Sequence, residues 1–206
     1  MPALLHQGIW NLDTIIASHI HDDHIEGLLE VLKTYKVKRI IFPKTPYSSK
    51  VYEELIELCR AKRTDIIYLT RGDKIKLADN IHIDVVSPSK TLIKETSSDE
   101  NNNSLVARLS YKDFQILFAG DVQGEAEELL AKENLNCDIL KVPHHGSKYS
   151  STKDFLKSVG AKYHIISVGN NNYGHPSSDA LTRLSENGGV VYRTDKNGAV
   201  TVITDG

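Results

Sequence analysis

The sequence has no run approaching the roughly eighteen consecutive apolar residues that a membrane-crossing helix needs. Its opening, MPALLHQGIWNLD, carries neither the positive segment nor the apolar stretch of a secretory signal, so the chain as written reads as soluble. Charge of one sign is missing as well: 25 Lys and Arg face 27 Asp and Glu, a net charge of -2 at pH 7. That excludes a whole-molecule basic field for nucleic acid, and such a partner has to be held locally or through a metal. Cysteine is scarce. Cys59 in a helical stretch and Cys137 before an apolar strand exclude a disulfide framework and leave two buried thiols as the expectation. What is present is globular: 206 residues, 40% hydrophobic and 25% charged, enough for one domain over residues 1–206 and far from the composition of disorder.

The apolar patterning comes in three stretches. From Leu12 to Leu69, short β-branched runs (LDTIIAS, KRIIF, IIYL) alternate with helical stripes such as Ile25, Leu28, Leu29 and Leu32, and then Val51–Arg60. Such strand–helix alternation predicts parallel pairing. From Lys74 to Gly120 the runs KIKL, IHIDVV, SLVARLSY and FQILFAG leave little room for helices, which predicts antiparallel strands. Alternation then returns, with helices at Gln123–Lys132, Lys153–Val159 and Ser178–Ser185 and strands at Asp138–Val142 and Tyr163–Val168. Two last strands, VVYRT and AVTVIT, are expected to pair across Asp195–Gly198. Ser97–Ser104, SSDENNNS, reads as a polar loop.

Histidine carries the chemistry. Five of the nine fall in two short clusters, His19, His21 and His24, then His144 and His145. The first cluster, Ser18-His19-Ile20-His21-Asp22-Asp23-His24, hangs off the end of LDTIIA, where ligands collect in α/β sheets. On extended backbone His19 and His21 point to one side, and the turn into the helix at Ile25 carries Asp23 and His24 toward a second centre. Imidazole and carboxylate are donors for zinc and manganese. Capping of the helix by Asp22 or Asp23 accounts for one aspartate and for none of the histidines. Further along, Gly120-Asp121 closes one apolar strand, Val142-Pro143-His144-His145-Gly146-Ser147 follows another, and Tyr173-Gly174-His175-Pro176 follows a third. His175 then either faces the same site or is a loop histidine bonded to a neighbouring carbonyl.

H-x-H-x-D-H between an apolar strand and a helix resembles the metal signature of the metallo-β-lactamase superfamily. Together with NNxSLV, GD, VPHHGS and YGHP, it is similar to the C-terminal metallo-β-lactamase-like domain of ComEC-type DNA-uptake proteins, over Leu12 to the end. The resemblance implies an α/β protein folded as a four-layer αββα sandwich and binding two divalent metal ions, zinc or manganese. His19, His21 and Asp121 would hold one ion, and Asp23, His24, Asp121 and His145 the other, with Asp121 as the bridging carboxylate. His145 is chosen by register on Pro143 and Gly146, which leaves His144 as an outer or proton-transfer group. Asp23, His144 and His175 are the expected catalytic residues, and Asn102, Ser104, Ser147 and Lys148 the expected substrate contacts.

The activity so implied is a phosphodiesterase or nuclease acting on DNA, working beside a membrane channel domain and outside the cytoplasm. Hydrolysis of a small phosphoester or thioester, and a non-catalytic accessory module or fragment, are the alternatives. Two departures stand out: Asn101-Asn102-Asn103 occupies the place where many members carry a histidine ligand, and the strand hairpin that opens most members is not found. The chain is therefore expected to be truncated at its N-terminus, with LDTIIAS left at a sheet edge.

Overall fold

The computed structural model describes residues 2–206. After a short helix α1 (Pro2–His6), strands β1 (Asn11–Ile16), β2 (Lys36–Pro43) and β3 (Asp65–Leu69) form a three-stranded sheet in that order. Both pairs are parallel, as the alternation required, because helices α2 (Asp22–Thr34) and α3 (Lys50–Lys62) provide the crossovers. α2 buries Ile25, Leu29 and Leu32, one stripe at helical spacing, against Val37 and Ile40 of β2. α3 is started by Ser49, whose hydroxyl accepts the Tyr52 N–H at 3.2 Å. β1 pairs only with β2 among the described residues and is an edge.

The second sheet has seven strands. β4 (Lys74–Ala78), β5 (Ile81–Ser87), β6 (Val106–Tyr111) and β7 (Phe114–Phe118) pair antiparallel, interrupted by a helical turn, α4 (Asp99–Asn102). β7, β8 (Ile139–Lys141), β9 (Tyr163–Ile166) and β10 (Val190–Arg193) then pair parallel, joined through α5 (Gly124–Leu130), α6 (Lys153–Val159) and α7 (Ser178–Glu186). Those helices pack Leu130, Phe155, Leu156 and Leu184 on Val106, Leu117, Leu140 and Ile166 of the sheet. On its other face, Ile83, Val85 and Ala107 meet Ile41 and Leu69 of the first sheet. Three apolar interfaces thus stack helices, sheet, sheet and helices, the αββα sandwich that the resemblance implied.

Three expectations are corrected. AVTVIT forms no strand: β10 runs into a helical turn, α8 (Thr194–Asn197), and residues 199–204 join no ladder. Asn197 Oδ1 accepts the Arg193 N–H at 2.8 Å, while the Thr194 hydroxyl bonds Val168 N and O, each at 2.7 Å. These bonds wind the chain over the strand end, so no hairpin can form. The polar Ser97–Ser104 segment contains α4, because Asp99 accepts both N–H and O–H of Thr96, at 2.8 and 2.7 Å. Finally, α2 begins at Asp22, which puts Asp23 and His24 on its first turn.

Candidate metal centre

Ala17 continues the β1 ladder by donating to the Ile41 carbonyl at 2.9 Å, and the chain then leaves the sheet at Ser18. The Ser18 hydroxyl lies 3.1 Å from His19 Nδ1 and 3.3 Å from His24 Nδ1. With their Nδ1 atoms engaged, both rings turn Nε2 inward. His19 Nε2 is 3.0 Å from His21 Nδ1, so the i, i+2 pair does share a side. Ser18 was not singled out by the sequence, since a lone serine beside a histidine carries no signal.

Asp121 arrives from the opposite sheet, just past β7. Gly120 holds φ +55°, and a Cβ there would sit 2.7 Å from Ser104 Cβ. Only glycine lets the chain pass so close under Ser104, whose hydroxyl accepts the Asp121 N–H at 3.2 Å. The carboxylate reaches His24 Nε2 at 3.2 Å and His145 Nε2 at 3.6 Å through Oδ2. Its Oδ1 is buried and has no hydrogen-bond partner. Asp23 approaches the same His24 nitrogen at 3.5 Å from the exposed side.

His145 is delivered by a tight turn over Pro143–Gly146, with His144 and His145 both in left-handed backbone at φ +47° and +53°. A Cβ at Gly146 would meet Pro176 Cβ at 2.6 Å, so this turn and the YGHP loop are packed backbone to side chain. His145 Nδ1 lies 2.8 Å from the Ser167 carbonyl, which can only accept, so Nδ1 carries the proton. The bare Nε2 then faces His24 Nε2 at 3.3 Å. The turn is braced from behind. Buried Glu127 accepts the N–H groups of Ser151 and Thr152, both at 2.6 Å, and Arg183 donates to the carbonyls of Ser151, Ser150 and Lys148.

Two donor sets result, His19, His24 and Asp121, and Asp23, His24 and His145. Nitrogen spacings of 3.0 and 3.3 Å match neighbouring ligands around an ion bound at roughly 2.1 Å. The unpartnered Asp121 Oδ1 and the inward Nε2 atoms are the donors such ions need, so the residues fit a divalent pair. Electrostatics agree with that fit. Burial, reinforced by His24, pushes His19 down to about 2 and keeps the imidazole neutral. Burial opposes ionisation of Asp121, yet His24, Lys141 and His19 hold its carboxyl well below the usual carboxylate range.

His144 does not reach Asp121 by direct contact; its Nδ1 lies 3.1 Å from Gln123 Oε1, and its ring is 5.5 Å from that of His175. His175 is held by Asn171, which accepts its N–H at 3.0 Å and donates to its carbonyl at 2.8 Å, while Tyr173 stacks on the ring at 6.0 Å. Burial lowers the pKa of both histidines. With Asp23, Asp121 and His145 they line one cleft of about 630 Å³.

The expected substrate contacts fare differently. Asn102, Ser104 and Ser147 are buried at 0%, 0% and 1% exposure. Asn102 is consumed by Thr96, Glu125 and Gln123, and the Ser147 hydroxyl by Tyr149 N, so these three brace the site and touch no solvent. Lys148 is exposed over the Tyr149 ring and does not line the cleft. Besides Ser18, two further residues not singled out in the sequence bear on the site: Glu100, against His21 Nε2, and Lys141, whose ammonium Asp121 feels.

The fold and the donor set define a metal-dependent hydrolase of the metallo-β-lactamase kind. The model of the metallo-beta-lactamase superfamily matches residues 2–169, and the chain belongs to that family. It is 34% identical over 203 residues to ComE operon protein 3 of Bacillus subtilis, covering 97% of this chain and 26% of that protein. Competence protein ComA of Neisseria gonorrhoeae is 28% identical, covering 97% of this chain and 26% of its own. The chain thus spans about a quarter of the length of these relatives. Among solved structures, the metallo-beta-lactamase fold protein YhfI of Bacillus subtilis superposes with a TM-score of 0.57 at 15% identity, over 89% of this chain and 75% of that one. No helix among the described residues is long and apolar enough to cross a membrane.

Proposed function

We propose that the chain is a two-metal phosphodiesterase acting on DNA during uptake, with a membrane channel domain of a larger protein as its partner outside the cytoplasm. The observation that carries this reading is the buried Asp121 carboxylate, touching His24 and His145 through one oxygen and leaving the other without a partner. His19, His21 and Asp121 would hold one ion, and Asp23, His24, Asp121 and His145 the other. Zinc or manganese bound there would polarise a phosphoryl oxygen and supply a nucleophile from water at neutral pH.

The chain's own residues do the remaining work. Ser18 and the Ser167 carbonyl fix which nitrogens of His19, His24 and His145 face inward. Asp23, at the solvent side of His24, orients water at the cleft mouth. His175 has a buried Nδ1 without a partner, and it protonates the departing alkoxide; His144, whose Nδ1 donates to Gln123 Oε1, packs beside it. Burial makes the His175 imidazolium a stronger acid than free histidine, which suits a poor leaving group. The relationship to competence proteins supports DNA as the polymer, and a net charge of -2 leaves phosphate recognition to the site itself.

The test is hydrolysis by the purified chain, loaded with manganese or zinc, of single-stranded DNA, duplex DNA and bis-p-nitrophenyl phosphate. Metal-dependent cleavage of DNA that chelation abolishes is expected. Cleavage of the small diester alone would assign a small-molecule phosphoesterase, and metal binding without any hydrolysis an accessory module.

A further inference from the structure

The Asn-rich segment is a rigid bracket, and its geometry points to Glu100 as the positioning residue that sets the metal-facing nitrogen of His21. The inference rests on the metal-centre reading above and adds a residue to it. Asn103 Nδ2 donates to the carbonyls of Ile93 and Asp99, both at 2.7 Å, and to Tyr47 Oη at 3.1 Å. Asn102 Nδ2 donates to Thr96 Oγ1 and Glu125 Oε2, both at 3.0 Å. So many bonds within buried surroundings cannot be explained by loop solubility; they hold the single turn of α4 in one place.

Two side chains are presented by that bracket. At its end, Ser104 receives the Asp121 N–H. At its start, Glu100 touches His21 Nε2 with Oε2. A carboxylate can only accept, so Nε2 carries the proton and Nδ1 is bare. Nδ1 is the atom that faces His19 Nε2 at 3.0 Å. Of the two nitrogens of His21, the one turned to the centre is therefore selected by Glu100, and hydrogen bonding to an anion raises the basicity of the nitrogen left free. A carboxylate behind His21 thus strengthens that histidine as a ligand.

The experiment is calorimetric titration of the full chain with manganese and separately with zinc, for wild type, Glu100→Gln and Glu100→Ala, alongside melting of the metal-free proteins. Glu100→Ala should weaken one of the two equivalents by about 10–100-fold, leave the other within twofold, and leave the metal-free melting temperature unchanged. Glu100→Gln, which keeps an acceptor oxygen without the charge, should fall between. Wild-type affinity at both equivalents in Glu100→Ala overturns the inference, as does equal weakening of both with loss of metal-free stability. Two bound ions without DNA cleavage would overturn the proposed activity and leave Glu100 in its role. A wild-type chain that takes up no metal would overturn both.

Discussion

His19, at the end of the first sheet, and His164, on β9 of the second, are both buried, at 2% and 0% exposure. Burial lowers the pKa of each. Their surroundings differ completely. His19 has Ser18 on one nitrogen and His21 on the other, with Asp121 close enough to be felt. His164 has no partner on either nitrogen, and Gly189 lies so close that a Cβ there would be 2.2 Å from its Nε2. A buried histidine is therefore no site in itself. Ring nitrogens that are each assigned a direction by a neighbour, and that converge on a shared carboxylate, are what distinguish the metal centre from the core.

The largest effect that tests this contrast is at Asp121. Asp121→Ala removes the carboxylate proposed to bridge the two ions, so bound metal should fall to one equivalent or fewer and hydrolysis to background, measured on the same preparations. Retention of two equivalents with normal turnover would contradict a shared ligand. A smaller effect is expected at His175, which lines the cleft but belongs to neither donor set. His175→Ala should leave metal content intact and lower turnover by about 10²–10⁴-fold on a diester with a poor leaving group, with less loss on an activated one. Equal losses on both substrates would mean that His175 binds and does not donate.

The smallest effect concerns His164. Its pKa in the folded state is depressed, so the unfolded chain takes up the proton first; the stability it contributes is fully present above pH of about 6.5 and is lost as pH falls below that value. Denaturant melts between pH 7 and 5 should show His164→Leu with a flatter slope than wild type, by up to about 1.4 kcal/mol per pH unit. Metal loading should not change that difference, whereas it should protect His19 from the same acid loss.

The parts of this site that are local in sequence were legible. H-x-H-x-D-H, Gly-Asp and His-His-Gly each follow a strand, and the strand periods told parallel from antiparallel stretches, so the sheets and the segments that converge on the cleft could be placed. What escaped was long-range. Asn102 looked like a substrate contact because polar residues beside a site usually are, but its partners Gln123 and Glu125 lie more than twenty positions away. Glu100 was overlooked for the same reason, since its contact with His21 becomes visible only after the sheets stack; Ser18, whose partners His19 and His24 are near in sequence, was overlooked because a serine beside a histidine carries no signal. AVTVIT has a strand's composition, and it lost to side-chain bonds of Asn197 and Thr194 that no periodicity records.

The most direct measurement is the metal stoichiometry of single histidine variants, read by elemental analysis after exhaustive dialysis. Wild type should retain two equivalents, His19→Ala, His21→Ala and His24→Ala should each retain fewer, and His82→Ala, whose ring lies near Asp84 on β5 away from the cleft, should retain two. If His82→Ala lost as much metal as His21→Ala, the ligand set and the account built on it would be wrong.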